Sequence, residues 1–168
     1  MVASAAVQVR LEPMVPAALD AVVALEHAAH THPWSRRHFE DILQVPYVAQ
    51  TLWAGDILLG YFVAMPGVDE VHLLNIAVAP AHQGCGWAQT LLDALVLWAR
   101  GLQASMVWLE VRRSNARAIA VYQRQGFESV GVRKNYYPAA AGQREDAWVM
   151  RRAVARAPVT PDPLEPNT

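Results

Sequence analysis

The apolar positions of this chain switch repeatedly between a period of two and a period of 3.6, and each switch marks an element boundary. Val7–Met14 reads as a first strand. Pro16 suits the first turn of a helix running to about Ala29, with Ala18, Val22, Leu25 and Ala29 on its apolar side. Glu26 reads as an exposed residue of that helix. After the loop His30-Thr31-His32-Pro33-Trp34, Ser35 is the expected N-cap of a short helix over Arg36–Leu43, and Pro46 breaks the chain again. Tyr47–Trp53 and Ile57–Met65 are two strands joined by Ala54-Gly55-Asp56, a hairpin signal. Past the Pro66-Gly67 turn, Glu70–Val78 is a third strand of the same meander, stopped by Ala79-Pro80. Ala88, Leu91, Leu92, Leu95 and Ala99 then recur at helical spacing, which predicts a helix over 87–100 ending at Gly101. Met106–Val111 is a short apolar strand. Asn115–Gln125 is a helix with Ala118, Ile119 and Tyr122 on one side, closed by Gly126. Phe127–Arg133 and Ala147–Arg152 are two last strands around a loop over 135–146.

Strand, helix, strand across 70–111 implies a parallel crossover. The sum is an α/β domain over residues 1–152: a mixed sheet of six or seven strands with about four helices. Residues 1–6 are expected to be frayed. The tail 153–168 holds four prolines and little apolar content, so it reads as disordered.

Composition narrows the classes. With 54% hydrophobic and 17% charged residues the chain can bury a real core. A net charge of −1 gives no general attraction to nucleic acid or to an anionic membrane, and neither is an expected partner. Arg112, Arg113, Arg117, Arg124, Arg133 and Lys134 lie close in sequence but read as solvated faces. The single cysteine, Cys85, rules out an intramolecular disulfide. No apolar run reaches the ~18 residues of a membrane span, and no signal peptide is visible. The expectation is a soluble cytoplasmic protein, monomer or weak dimer. His27, His30 and His32 are close together, yet no further ligand completes a metal pattern, so no metal is expected.

The chemistry concentrates after the third meander strand. Gln83-Gly84-Cys85-Gly86-Trp87-Ala88 leads straight into a helix, whose first turn carries unpaired N–H groups and a partial positive charge. Glycine there lets a phosphate approach the backbone. A dinucleotide fingerprint needs a third glycine at position 89, which is Gln, and the Gly-Lys-Ser/Thr of a nucleotide P-loop is absent. Downstream, Glu110 lies in an apolar strand whose alternation puts Val107, Leu109 and Val111 on the other face. A carboxylate there points into a cleft, or else pairs with Arg112 or Arg113 at the strand end. Asn115 and Tyr122 project along one side of the following helix.

Gln83-x-x-Gly86-x-Ala88 resembles the acetyl-CoA loop of the GCN5-related N-acetyltransferases (GNAT). Trp108-Leu109-Glu110-Val111 followed by Ser114-Asn115-x-x-Ala118-Ile119-x-x-Tyr122-x-x-x-Gly126-Phe127 is similar to the second half of that site. Pro33-Trp34-Ser35, Asn75-Ile76-Ala77-Val78, Asn135-Tyr136-Tyr137-Pro138 and Arg144-Glu145-Asp146-Ala147 resemble a narrower group, the RimI-type alanine N-acetyltransferases. The resemblance covers about residues 5–152 and implies a fold with splayed central parallel strands. It implies acetyl-CoA as cosubstrate and direct transfer, through a ternary complex, to the N-terminal alanine of a small-subunit ribosomal protein.

By residue, the resemblance assigns Ile76, Ala77 and Val78 to the edge that positions the acetyl group. Gln83, Gly84, Cys85, Gly86, Trp87, Ala88 and Gln89 become the pyrophosphate loop, and Asn115 a pantetheine or phosphate contact. Glu110 becomes the general base and Tyr122 the acid. The task is chemically modest: an α-amine has a pKa of about 7.7–8.0, a thiol about 8.5 and a phenol about 10. Trp34, Tyr136 and Tyr137 are expected around the acceptor peptide, and Glu26 is a candidate there for the free amine or a following arginine, though its reading as an exposed helix residue is favoured. Basic residues common in the RimI-type loop are replaced here by Gly84, Cys85 and Gln89, and Trp87 stands where a smaller aliphatic is common. Competing readings are an acetyltransferase of another amine (lysine, polyamine, small molecule), a non-catalytic acetyl-CoA-binding module, and a ribosome-associated protein using its arginines.

Overall fold

The computed structural model describes residues 7–155. The expected frayed start at 1–6, and the tail from 156 onward, lie outside the described residues. The chain runs through β1 (Val9–Pro13), α1 (Leu19–Ala29), α2 (Arg36–Ile42), β2 (Val48–Ala54), β3 (Ile57–Pro66) and β4 (Glu70–Val78). It continues through α3 (Trp87–Gly101), β5 (Met106–Arg112), α4 (Ala116–Arg124), β6 (Glu128–Pro138) and β7 (Arg144–Ala153). Seven strands form one sheet in the order β1-β2-β3-β4-β5-β7-β6. Neighbours are antiparallel except β4 and β5, which are parallel, as a helical crossover requires. No described helix is long and apolar enough to cross a membrane.

Both faces of the sheet are covered, which is why β3 is an almost unbroken apolar run. Leu59, Phe62 and Ala64 turn to the face that carries α3 and α4, where they join Leu91, Leu92, Leu95 and Tyr122. Leu58, Tyr61 and Val63 turn to the other face, against Leu19, Val22 and Leu25 of α1 and Phe39 of α2. Ser35 caps α2 as expected, its hydroxyl accepting from the His38 N–H.

The parallel pair does not run its full length. β4 and β5 pair only from Glu70–Met106 to Leu73–Leu109, although both strands continue beyond. The register of β4 against β3 slips at the same point, between Val63 and Ala64, leaving Leu74 as an extra residue. A bulge bends a strand and sharpens its twist. It therefore swings Leu74–Val78 away from β5 and opens a wedge between two central strands.

Three expectations are corrected. The helix α3 includes Gly101; the left-handed residue that follows its end is Gln103, at φ 58°. The loop expected over 135–146 is mostly strand. Asn135 at φ 52° breaks the alternation and shifts the register, but pairing resumes at Tyr137–Glu145. The last strand starts at Arg144 and reaches Ala153, and Val154 is buried with its N–H on the Ser105 carbonyl at 2.9 Å.

Candidate active site

Two cavities meet at the wedge. The larger, about 570 Å³, lies between the start of α3, the end of β4 and α4. The smaller, about 460 Å³, lies between the end of β4, β5, the end of α1 and the Tyr137 segment. Asn115, Ala118 and Tyr122 of α4 and Ile76 of β4 line both. Glu110 lines the smaller one only.

The larger cavity gathers Ile76, Ala77, Val78, Gln83, Gly84, Gly86, Trp87, Ala88, Gln89 and Asn115. Cys85 is the exception among the expected loop residues: it is exposed, and its sulfur turns back toward the Gln83 carbonyl. Gly84 and Gly86 have φ of 79° and 88°, a region where a side chain is strained. A Cβ built on Gly86 meets nothing within 4 Å, so a side chain there would project into open space above the first turn of α3. That turn has no side-chain cap, because Gly86 is itself the N-cap. Left-handed glycines, uncapped N–H groups and an open hollow make a cradle that fits a pyrophosphate. Trp87 lines the cavity while its ring packs on the core beneath, which is how the large residue is accommodated. Asn115 caps α4, its Oδ1 accepting from the Ala118 N–H at 3.1 Å.

Tyr122 is buried under α4 with its ring edge-on to Phe127 at 5.8 Å. Burial pushes its phenol well above the ordinary range, so the proton stays on the oxygen. Glu110 is held from two sides. His72 Nε2 is 2.5 Å from its Oε2, and Arg133 Nε is 3.1 Å from its Oε1. These are not the expected strand-end partners. Arg112 and Arg113 are taken instead by Glu145 at 3.3 Å and Asp146 at 3.4 Å. Glu145 also accepts the Ser114 N–H at 2.7 Å, and Asp146 accepts the Asn135 N–H at 2.9 Å. The Arg-Glu-Asp segment thus pins the β5–α4 turn and the Tyr-Tyr-Pro segment to each other, and it neutralises Arg112 and Arg113.

Trp34 and Tyr137 both line the smaller cavity. Trp34 stacks on His38 at 4.0 Å, and Tyr137 donates to the Glu110 carbonyl at 3.0 Å beneath Arg112. Tyr136 is not brought in. It is half outside, edge-on to Tyr137 and under the Arg133 guanidinium.

Glu26 overturns its expected exposure: it is 1% exposed and lines the smaller cavity. Its carboxylate accepts from the Tyr61 hydroxyl, from the Trp34 N–H at 2.8 Å and from Asn75 Nδ2 at 3.3 Å, and it is paired with His30 at 2.8 Å. Burial alone would push this carboxyl up; the bonds from His30, Trp34 and Tyr61 outweigh it and hold it below the usual range. The signal was present in the sequence. Val22, Leu25, Glu26 and Ala29 follow i, i+3, i+4, i+7, so Glu26 falls inside the apolar stripe.

A sheet wedged open between parallel strands, with a phosphate cradle on one side and a carboxylate-bearing acceptor cavity on the other, is the architecture of an acyl-CoA-dependent acyltransferase. The model of the acetyltransferase (GNAT) family matches residues 19–127, and the chain belongs to that family and is an N-acetyltransferase. It is 37% identical over 142 residues to the [ribosomal protein bS18]-alanine N-acetyltransferase of Haemophilus ducreyi, covering 83% of this chain and 97% of that one. The enzyme of the same name from Salmonella typhimurium is 40% identical over 134 residues, covering 79% and 88%. The crystal structure of the ribosomal-protein-S18-alanine N-acetyltransferase of Escherichia coli superposes with a TM-score of 0.81 at 33% identity, over 89% of this chain and 96% of that one.

Proposed function

We propose that this enzyme transfers acetyl from acetyl-CoA to the N-terminal alanine of ribosomal protein bS18, directly and within a ternary complex. One observation carries the reading: Tyr122 is shared by the two cavities while Glu110 faces only the acceptor side. The α-amine gives up a proton to Glu110, directly or through a water, and attacks the thioester carbon. The C–N bond forms and the C–S bond breaks. The departing sulfur takes its proton from Tyr122, the proton that the new amide nitrogen sheds restores the Tyr122 phenol, and the one held by Glu110 passes to solvent. The unpaired edge of β4 at 74–78 is free to hold the pantetheine as an extra strand, with a backbone amide toward the thioester oxygen. The identity and coverage of the bS18 enzymes support the acceptor.

The test is mass spectrometry of purified bS18 incubated with this protein and acetyl-CoA, beside peptides starting in alanine and peptides carrying only lysine amines. One acetyl group on the alanine α-amine, and none on the lysines, is the expected result. An unmodified alanine N-terminus beside an acetylated lysine overturns the acceptor and leaves the transferase.

A further inference from the structure

The phosphate loop contains no lysine or arginine from Ala79 through Thr90. A pyrophosphate brings two negative charges to a cradle that has only backbone amides of its own. We infer that Arg117, from a different element, provides the missing cation, so that the pyrophosphate is clamped between α3 and α4. The inference rests on the acetyl-CoA reading of this cavity.

Arg117 lies in the first turn of α4, two residues after its N-cap Asn115. A cation there opposes the partial positive charge of the helix start, so the position has an electrostatic cost that an anion would reverse. Among the described residues no carboxylate lies within ion-pair distance of it. Its contact is Nη1 donating to Gln83 Oε1 at 2.7 Å. Gln83 is fixed in turn, its Nε2 donating to the Val78 carbonyl at 3.1 Å. The glutamine side chain therefore acts as a bracket, presenting its oxygen to the guanidinium and drawing it over the loop. The other terminal nitrogen, Nη2, is 3.9 Å from where a Cβ on Gly84 would be. Arg117 thus has one arm anchored on the loop and the other free beside the left-handed glycine, inside the cavity it lines. The guanidinium suits this task, since its fork can hold a side-chain oxygen and a phosphate oxygen together. The cation that the RimI-type loop carries in sequence at 84, 85 or 89 is here supplied in space.

Direct binding to the whole chain by isothermal titration tests this without reference to any acceptor. Arg117→Ala is expected to weaken acetyl-CoA about tenfold, as loss of one charge-assisted bond should, and to weaken 3′-dephospho-acetyl-CoA by the same factor. Arg100→Ala, the same charge removed at the far end of α3, is expected to leave both affinities unchanged. Adding Gln89→Arg to Arg117→Ala puts a cation back on the rim of the same cradle and should recover most of the loss, which a misfolded variant could not show. Equal affinity of wild type and Arg117→Ala overturns the inference. A loss confined to acetyl-CoA, absent with the dephospho form, also overturns it, since Arg117 would then read the 3′-phosphate. Wild type that binds no acetyl-CoA defeats the underlying reading of the cavity as well.

Discussion

Glu26 and Glu110 are two carboxylates in one cavity, and their partners separate their roles. Glu110 is bound only through side chains, His72 and the half-exposed Arg133, and not by a backbone N–H, so an incoming amine can replace a partner. Glu110→Gln is expected to lower kcat by about 10²-fold at neutral pH. The deficit should narrow above about pH 8, where the α-amine is already neutral; a constant ratio across the pH profile would deny it the base role. Tyr122→Phe keeps the ring against Phe127, so the KM for acetyl-CoA should hold while kcat falls by about 10²-fold. Glu26, in contrast, accepts from a backbone N–H and a buried hydroxyl and has no slack. Glu26→Ala leaves those donors unpaired and should cost about 3 kcal/mol in urea unfolding. An exposed helix residue would change stability by less than about 0.5 kcal/mol. The carboxyl is held low in the folded state, so its contribution is present above the unfolded value of 4.5 and fades as pH falls below it. Acid unfolding of Glu26→Gln should accordingly show a shallower pH dependence than wild type.

At the scale of elements, two glycines make opposite predictions. A Cβ on Gly60 would stand 2.5 Å from the Ala77 carbonyl, between β3 and the splayed end of β4. Gly60→Ala must push that edge aside, so it should cost about 2 kcal/mol and lower acetyl-CoA affinity together. Gly86→Ala meets open space but keeps φ 88°, so it should cost only about 1 kcal/mol of stability while its methyl group enters the phosphate hollow. Thermal unfolding beside titration with acetyl-CoA separates the two; equal loss of binding per unit of stability would remove the distinction. Such elements were legible in the sequence to unequal degrees. β4 carries its own punctuation, a turn before Glu70 and Ala79-Pro80 after Val78, and its bounds were read without error. The hairpin of β6 and β7 was not, because one left-handed asparagine hides the last five residues of β6, 134–138, from any period-two pattern. Glu110, Asn115 and Tyr122 fall at the wedge where the family-like motif implies, and that motif is legible because it runs along one strand and one helix. The contacts of His72, Arg133 and Arg117 were not legible, since they join residues 23 to 38 apart that no local period encodes. Those separations follow from Arg133 to Glu110 and His72 to Glu110.

For the whole molecule, the sheet is the wall shared by two cores, because β3 sends Leu59 and Phe62 into one and Leu58 and Tyr61 into the other. One lies under α3 and α4 and contains Tyr122; the other lies under α1 and α2 and contains Tyr61. Tyr137 closes the seam by bonding to the Glu110 carbonyl. Burial is the largest cause raising all three phenols, aided at Tyr61 by the Glu26 charge and at Tyr137 by its neighbours. A phenol whose folded pKa lies above its unfolded value of about 10 stabilises the fold fully below that value. Above it the unfolded chain releases protons that the folded chain retains, so stability falls as pH rises. For Tyr61 and Tyr122, both buried, the fall is about 1.4 kcal/mol each per pH unit beyond 10. Urea midpoints should therefore be flat up to about pH 9 and drop steeply between pH 10 and 11. Tyr61→Phe and Tyr122→Phe should each flatten that drop by its own share. Because the two rings lie on opposite faces of one sheet, a single cooperative transition should report both. Separate alkaline transitions for the two variants would mean that the two cores unfold independently despite the sheet they share.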